Sequence, residues 1–401
     1  MRRPSIRQIV ARGRLEQRML LSCARRSMSG EEQNRLAALV NEGPDWDRLY
    51  AAAVAHGMLP LTFRWLNSLP RSLVPPAALR QIGREFVVND MRCRGLVEAL
   101  HRLTETLTAA GIDSAPYKGP ALAEEIFGDA SLRQAGDLDI LIRQAHAARA
   151  VRVMVGEGYQ PHAGIHGQVR FDLRTMYHLE FSHPARPPVE LHWRFGDDVD
   201  FPVDWNAWWG RLVRREIAGR LMRVLPPEEM LVALCVHGAK DLWKRLILIA
   251  DVGELIRNRP DLDWNRVLVV AASPDSRRML VVGLMLARDM LDVVLPPIVA
   301  GECGRDRTAH VLATRVARRM MSDRTDPAGP LERIPFAMAV RHRGREKQLY
   351  IANRIRNMLT PDALDVQWVR MPRGLSFLYY LLRPIRRMVG LAALVRKAGK
   401  A

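Results

Sequence analysis

Residues 133–142, with the sequence RQAGDLDILI, place two aspartates two apart at the start of an apolar run. Side chains two apart on a β-strand point to one face. We therefore expect Asp137 and Asp139 to share a face while the alternate residues enter the core. The expected core residues are Leu138, Ile140 and Ile142. Two carboxylates on one edge suit a hard divalent cation and favour metal-assisted phosphoryl chemistry, although many Asp-x-Asp pairs are simply solvated strand ends.

A second strand is predicted over residues 187–195, PPVELHWRF, where apolar and polar residues alternate. The predicted core face consists of Val189, Leu191, Trp193 and Phe195. The polar face carries Glu190, His192 and Arg194. Glu190 offers a third carboxylate and His192 a possible functional neighbour. The simpler interpretation is an exposed strand acid beside a hydrogen-bonded strand histidine.

Between residues 115 and 127, Lys118-Gly119-Pro120 precedes an apolar segment with helical character. Proline suits the first turn of a helix, and glycine lets the chain bend just before it. The free N–H groups and positive dipole end at such a helix start bind phosphate. Lys118 adds a cation to this predicted phosphate site. The alternative is an ordinary helix start with a surface lysine.

Residues 231–249 predict a further helix, with one apolar face and a polar face that begins at His237. Asp241, Lys244 and Arg245 follow on that polar face at spacings of three to four residues. The simpler interpretation is a solvated basic face that contains an Asp241–Arg245 pair.

The order of these elements resembles the DNA polymerase β-like nucleotidyltransferase superfamily, and more closely its largely uncharacterised bacterial nucleotidyltransferase family. The residues that carry the resemblance are Lys118-Gly119, Arg133, Asp137-x-Asp139, Glu190-Leu191-His192-Trp193 and His237-Gly238-Ala239-Lys240-Asp241-x-Trp243. Further matches are Asp251, Leu262-Asp263-Trp264 and residues 23–25, 56–57 and 379–384. The resemblance covers roughly residues 20 to 390, and its strength lies in the ordered set of motifs.

The resemblance implies a small mixed sheet whose acids Asp137, Asp139 and Glu190 hold two Mg²⁺ ions, with Mn²⁺ as an alternative. The two aspartates would bridge the ions. Glu190 would hold the ion at the attacking group or act as a base toward an acceptor hydroxyl. Lys118 and Gly119 would bind the triphosphate of a nucleoside triphosphate (NTP) donor. The remaining residues expected around the nucleotide are Arg133, His192, Lys240, Lys244 and Arg245.

Three departures from the superfamily pattern bear on turnover. Pro120 stands where Ser or Thr is common, and it lacks a hydroxyl and an N–H. The gap from Gly119 to Asp137 is longer than usual, and the third acid is Glu190 rather than Asp. Two functions therefore stay open. One is transfer of a nucleoside monophosphate to a hydroxyl or phosphate of a small molecule, peptide, glycan precursor or protein side chain. The other is a nucleotide- or anion-binding regulatory module without turnover.

Composition limits the partners and the compartment. The 401 residues include 61 Lys and Arg against 43 Asp and Glu, and the formal net charge is +18. This balance suits phosphate-bearing partners, although no motif supports nucleic acid. The four cysteines lack zinc spacing and favour a reducing compartment. No secretory signal or bilayer-length apolar run is visible, so we expect a cytoplasmic protein. Residues 375–397 could contact an anionic inner-membrane surface, although such a segment is more often a basic amphipathic helix packed on its own domain.

The predicted fold class is α+β and predominantly helical, with a small mixed sheet flanked by helical regions. Residues 1–110 are expected to be helical, 111–225 to hold the sheet domain, and 226–321 to form a second helical domain. A linker over 322–346 and a basic helical segment over 347–401 complete the predicted organisation. Local signals include a capping box at Ser29 and Glu32 and a helix over Trp46–Met58.

Overall fold

The structure is a computed structural model that describes residues 4–162, 176–195, 204–322, 330–359, 365 and 368–386. Within these ranges the fold is predominantly helical α+β, as predicted. The longer helices are α1 (Ile6–Ala11), α2 (Leu15–Cys23), α3 (Gly30–Asn41), α4 (Trp46–Ala55), α5 (Leu59–Ser68), α6 (Pro76–Ala109), α7 (Gly119–Phe127), α8 (Ala147–Gly156), α9 (Trp205–Arg211), α10 (Pro227–Lys240), α11 (Leu246–Asn258), α12 (Trp264–Val270), α13 (Pro274–Leu291), α14 (Pro297–Arg305), α15 (Arg307–Met320), α16 (Pro330–Val340) and α17 (Gly344–Leu359). The strands are β1 (Ser114–Pro116), β2 (Leu138–Ile142), β3 (Gln160–Pro161), β4 (His178–His183), β5 (Arg186–His192), β6 (Val213–Ile217) and β7 (Arg220–Val224).

The strands of the main sheet follow the order β1-β2-β5-β4-β3, and β6 and β7 form a separate antiparallel pair. β2 and β5 are parallel, whereas β1 pairs antiparallel with β2 and β4 pairs antiparallel with β5. This combination is the small mixed sheet that was expected. It places the two predicted acidic strands side by side.

Both faces of β2 are buried, which explains its nearly continuous apolar sequence. Leu138, Ile140 and Ile142 enter a core shared with β5 and β4, as predicted. Leu141 enters the larger, mostly helical core on the opposite side. Asp139 lies on that second face and is 5% exposed. The acid is therefore enclosed by protein rather than placed at a solvated strand end.

The alternation predicted for β5 is confirmed for Val189, Leu191 and Trp193, which are buried in the core shared with β2. The prediction was wrong at its end, because the strand stops at His192 and Phe195 enters the larger, mostly helical core. Its polar face is less exposed than the alternation suggested, because His192 and Arg194 are also buried. The strand runs from Arg186 through both prolines to His192.

Of two local predictions about the N-terminal helices, one is confirmed in full and the other at its start. Ser29 and Glu32 form a reciprocal capping box at the start of α3. α4 begins at Trp46 but ends at Ala55, before the predicted end at Met58. Gly57 follows this end with φ +68°, a left-handed conformation that glycine adopts without strain.

Two segments differ from their predictions. The predicted linker over 322–346 includes α16, whose Phe336 and Val340 are buried in the larger core. The predicted helix over 231–249 is interrupted, because α10 ends at Lys240 and α11 begins at Leu246. The domain boundaries stay predictions, and residues 387–401 of the basic C-terminal segment lie outside the described residues. In the described part of the chain, no helix has the length and apolar character needed to cross a bilayer.

Candidate functional site

Strand register brings the two predicted acidic motifs together. In the parallel pair, Asp139 of β2 lies directly opposite Glu190 of β5. On the other side of β5, Glu190 lies opposite Glu180 and His192 lies opposite His178. Residues directly opposite each other on paired strands have neighbouring side chains. Asp139, Glu190 and His192 therefore belong to one cluster, which we call the carboxylate cluster.

One imidazole nitrogen joins the two acids of this cluster. His192 Nε2 lies 3.1 Å from Asp139 Oδ1 and 3.0 Å from Glu190 Oε2. Because a carboxylate only accepts hydrogen bonds when ionised, His192 must carry the proton on Nε2. The possible ligand atoms of the three residues lie within 4.8 Å of one another. The carboxylate oxygens of this arrangement are close enough together to hold a divalent ion, with His192 as their hydrogen-bond donor.

Lys118 contacts the same aspartate from the start of α7. Its Nζ lies 2.6 Å from Asp139 Oδ1, and its side chain is 12% exposed. Gly119 follows with φ +61°, and a Cβ there would lie 3.1 Å from the carbonyl oxygen of Asp137. The glycine therefore permits both the left-handed turn and the close approach to the acidic strand. The predicted phosphate-binding turn and the predicted metal acids are structural neighbours.

The protonation of the acids follows from these contacts. Burial alone would raise the pKa of Asp139, but Lys118 and the His192 hydrogen bond lower it well below its usual value. The hydrogen bond from His192 also lowers the pKa of Glu190, against the opposing effect of burial. Both groups are therefore ionised at neutral pH. Ionised carboxylates are the state that binds a metal ion.

Asp137 stands at the edge of this cluster. It precedes β2 and is partly exposed, and its carboxylate is outside the group of ligand atoms that lie within 4.8 Å. Burial, followed by the charges of Asp139 and Glu190, raises the pKa of Asp137. The acid thus shares an electrostatic environment with the other two. A cation placed among the three would relieve this repulsion.

Arg133, expected near the triphosphate, is engaged elsewhere. Its Nε lies 3.0 Å from Asp251 Oδ1 and its Nη2 lies 3.0 Å from Asp251 Oδ2, which makes a bidentate ion pair. The two residues are 7% and 1% exposed. The pair joins the approach to β2 to helix α11. Arg133 and Asp251 therefore form a structural connection between the sheet and the second helical region.

The turn between α10 and α11 contains two residues with an unusual backbone conformation. Leu242 and Trp243 have φ values of +57° and +50°, a region that costs non-glycine residues energy. The Trp243 ring occupies space that a Cβ on Gly238 or Gly283 would fill, at 2.5 Å and 3.0 Å. The two glycines thereby admit the ring and hold the turn. This packing explains the glycine and tryptophan of the His237–Trp243 motif.

The basic residues of this turn have different surroundings. Lys240 donates to the carbonyl oxygen of Phe195 at 2.9 Å, and its Nζ lies 4.5 Å from the centroid of the Tyr177 ring. Lys244 pairs with Asp241 at 3.2 Å, in place of the expected Asp241–Arg245 pair. Arg245 precedes the first residue of α11. Of the three predicted cations, Lys240 thus reaches toward the sheet, through its contacts with Phe195 and Tyr177.

Three aromatic and histidine residues near the cluster were not predicted as site residues. His178 stacks on His192 with ring centroids 5.1 Å apart, and burial and His192 lower its pKa to about 4. Tyr177 lies 4.3 Å from the His178 ring. Tyr117 meets the His192 ring edge-on at 5.2 Å. Only the β4–β5 register assigns His178 to this cluster, because its partner there is His192.

Residues 42–292, well over half of the chain, match the sequence profile of a family described as uncharacterised nucleotidyltransferases. The chain belongs to this family. Its match includes every residue of the carboxylate cluster and the Lys118–Gly119 turn. The acidic cluster on the mixed sheet is thus part of a nucleotidyltransferase-family protein.

Comparison with solved structures finds a chain described as an antigenic nucleotidyltransferase-like protein from Paracoccidioides brasiliensis. It is 18% identical in sequence, and the match covers 47% of the present chain and 92% of that one, with a TM-score of 0.31. No curated protein matches the chain.

Proposed function

We propose that this protein transfers a nucleoside monophosphate from an NTP to a hydroxyl or phosphate acceptor, in a reaction that depends on Mg²⁺ or Mn²⁺. The observation that carries the proposal is the parallel register of β2 and β5, which sets Asp139 opposite Glu190. Lys118 and Gly119 begin a helix beside the same acids. On this order of elements we assign the chain to the DNA polymerase β-like superfamily.

The donor atoms of the cluster fit a hard divalent cation. Asp139 and Glu190 offer ionised oxygens, because their pKa values are lowered. Asp137, whose pKa is raised by burial and by these two acids, would complete a three-carboxylate site. A bound divalent ion would supply positive charge to the phosphoryl oxygens during transfer. We assign Asp137, Asp139 and Glu190 to this role.

We assign the start of α7 to binding of the triphosphate. Free backbone N–H groups at a helix start attract phosphate, and Lys118 adds a charged donor within the same turn. Pro120 removes one N–H from this set. Lys118 also contacts Asp139, which supports its assignment to the triphosphate next to the acids.

Glu190 is better placed than Asp139 to meet the acceptor. Its side chain is 26% exposed, whereas that of Asp139 is 5% exposed. An accessible carboxylate can hold a metal ion at the attacking group or take the proton from an acceptor hydroxyl. The hydrogen bond from His192 fixes its orientation in either role.

The test is an assay of NTP turnover with a matched pair of glutamates. Purified protein is incubated with each α-³²P-labelled NTP, Mg²⁺ and fractionated cell extract, and transferred label and released pyrophosphate are measured. We expect Glu190→Gln to lower turnover by about 100-fold or more, because a positioned acid or base contributes that much. Glu180→Gln, directly across the strand pair, is the control and should change turnover by less than about threefold. Full activity of Glu190→Gln would contradict the proposal.

A nucleotide-binding module without turnover is the second candidate. The 2.6 Å contact between Lys118 Nζ and Asp139 Oδ1 favours it, because a lysine already neutralises the buried acid. Pro120 favours it as well, since it removes a phosphate contact. The same assay, run beside a calorimetric titration of each NTP, separates the two functions. Binding of an NTP without label transfer to any fraction would support the module.

A further inference from the structure

We propose that the C-terminal helical segment binds the surface of an anionic lipid bilayer. This segment consists of the 3₁₀ helix Arg373–Leu378 and the α-helix over residues 379–386. Both lie outside residues 42–292, which match the family profile, so the family does not account for them. The inference goes beyond the proposed function and does not depend on it, because no residue of the carboxylate cluster takes part.

An exposed apolar face runs along this segment. It consists of Phe377, Tyr380, Leu381 and Ile385, and we call it the C-terminal apolar face. Its members are three or four positions apart from one turn to the next, a spacing that places side chains on one side of a helix. Phe377 is 63% exposed and Leu381 is 66% exposed. Large apolar residues exposed together in this way mark an interaction surface.

The opposite side of the helix is held by a buried ion pair. Arg383 is 5% exposed, and its Nη1 donates to Asp365 Oδ2 at 2.9 Å. The Nε of the same arginine donates to the carbonyl oxygen of Met358 at 3.2 Å, near the end of α17. Arg386 contacts the other carboxylate oxygen of Asp365. The helix thus directs its arginines toward Asp365 and α17, and this orientation turns the C-terminal apolar face outward.

This orientation is the reverse of that expected for a helix on the surface of a protein in water. Such a helix turns its apolar side toward the core and its charged side toward the solvent. A basic amphipathic helix packed on its own domain, the simpler interpretation of the sequence, would bury the four apolar residues that are exposed here. Because apolar surface is favoured out of water, the C-terminal apolar face is suited to an apolar environment outside the protein.

The end of α17 extends this surface. Ile355, Met358 and Leu359 are exposed apolar residues of its last two turns. The hydrogen bond between Arg383 and the Met358 carbonyl oxygen places this end beside the C-terminal helical segment. Exposed apolar residues of two neighbouring elements thus lie close together, and they enlarge the area that a bilayer would cover.

The charge of the sequence selects the occupant of this surface. Residues 366–401 contain six Arg, two Lys and no Asp or Glu. With Asp365 included, positive side chains still outnumber negative ones by seven. Basic segments with exposed apolar and aromatic residues bind anionic bilayers, because the charges attract the headgroups and the apolar side chains enter the acyl boundary. Nucleic acid would meet the same charge but would leave Leu381 and Ile385 in water.

The experiment measures sedimentation of the full chain with vesicles of defined composition. One set of vesicles is phosphatidylcholine, and the other is an equimolar mixture of phosphatidylcholine and phosphatidylglycerol. The test variant is Phe377→Gln/Leu381→Gln. The matched control is Val87→Gln/Met91→Gln, which removes two exposed apolar side chains at the same spacing from α6. Circular dichroism checks the folding of each variant, and analytical ultracentrifugation measures its oligomeric state.

We expect wild type to bind the mixed vesicles at least about tenfold more tightly than phosphatidylcholine alone, and added salt to reduce this difference. The test variant should raise the Kd for the mixed vesicles at least about tenfold, because binding strength scales with the apolar area that is buried. The control variant should change this Kd by less than about twofold, as is usual for a substitution at an uninvolved surface position.

Absence of binding of folded wild type to the mixed vesicles, equal binding to both vesicle compositions, or equal binding by the test and control variants would overturn the inference. Self-association of wild type that the test variant abolishes, without vesicle binding, would overturn it as well. That result would assign the C-terminal apolar face to a second copy of the chain.

Discussion

His192 links the two most important acids through a single nitrogen. Its Nε2 lies within 3.1 Å of both Asp139 and Glu190, and the residue is 4% exposed. Two like charges at this separation repel each other unless a donor lies between them. We therefore interpret His192 as the residue that positions both acids. Residues that orient metal-binding side chains commonly contribute one to two orders of magnitude to affinity or activity.

The first prediction concerns the position of the nitrogen in residue 192. Glutamine places its amide nitrogen near the location of histidine Nε2, whereas asparagine places it near Nδ1. We expect His192→Asn to lower NTP turnover by about 10–100-fold, and His192→Gln to restore part of the loss. The Mg²⁺ concentration for half-maximal activity should rise in parallel. Equal activity of the two variants would contradict a role for Nε2.

Gly119 tests whether the phosphate-binding turn depends on its contact with the acidic strand. Gly119→Ala combines an unfavourable φ with a Cβ that approaches the Asp137 carbonyl oxygen at 3.1 Å. Gly43→Ala has a similar φ of +79° and nothing within 4 Å of its Cβ, so it isolates the cost of φ. We expect Gly43→Ala to cost about 1–2 kcal/mol of stability. Gly119→Ala should cost more and weaken NTP binding, as measured by urea unfolding and calorimetry. Equal effects of the two substitutions would show that the contact is unimportant.

At this scale the sequence predicted which residues lie together better than it predicted the contacts that each of them makes. The acids Asp139 and Glu190, the lysine and the glycine could be named, because their residue types and order are unusual. Contacts across the fold were not predictable. Pairing of Arg133 with Asp251 depends on residues 118 positions apart, and nothing local to either one reveals the partner.

Among the structural elements, the Arg133–Asp251 pair connects the approach to β2 with α11. Both side chains are almost fully buried, and their hydrogen bonds are 3.0–3.1 Å long. Burial opposes the charge of Arg133, but Asp251 overcomes it and raises the arginine pKa. A buried pair of this kind is costly to break from one side, because the remaining charge has lost its partner.

The corresponding prediction is a double-mutant comparison. We expect Arg133→Met and Asp251→Leu each to cost about 3–5 kcal/mol in the free energy of urea unfolding. The combined variant should recover most of that loss, because neither buried charge remains. If NTP binding to the folded combined variant is unchanged, the pair is structural. If binding is lost while stability recovers, Arg133 serves the nucleotide as the family resemblance implied.

Element predictions succeeded where periodicity was strong and failed where tertiary packing changed the backbone. The alternation of β5 and the apolar run of β2 predicted their core faces, because the side-chain period follows directly from strand geometry. The break between α10 and α11 was not predictable from periodicity. Its cause is the Trp243 ring, which packs where Gly238 and Gly283 leave space. These two glycines are 45 positions apart, so the reason for the break lies in the fold.

Across the whole molecule, partly buried histidines link stability to pH. Burial lowers the pKa of His56 to about 4, and it lowers the pKa of His237, which is also influenced by Lys118, to about 3. An unfolded histidine binds its proton near pH 6.5. Below that pH the unfolded chain binds more protons than the folded chain. Stability is therefore lost as pH falls from about 6.5 toward 4.

His56→Asn tests this linkage away from the carboxylate cluster. Because folded His56 stays unprotonated at pH 5, it should lower the free energy of unfolding there by about 1–2 kcal/mol relative to pH 7. We expect the variant to lose less stability than wild type between these pH values, as measured by urea unfolding. His310→Asn, at an exposed position, is the control and should follow wild type. An identical pH dependence of His56→Asn and wild type would contradict the prediction.

The central claim is that the acids of the sheet bind a nucleotide through a divalent cation. Isothermal titration of each NTP, with and without Mg²⁺, into wild type and Asp137→Asn/Asp139→Asn tests it most directly. We predict micromolar binding of at least one NTP that requires Mg²⁺ and disappears in the folded double variant. NTP binding that is independent of Mg²⁺, or that survives in the double variant, would contradict the claim.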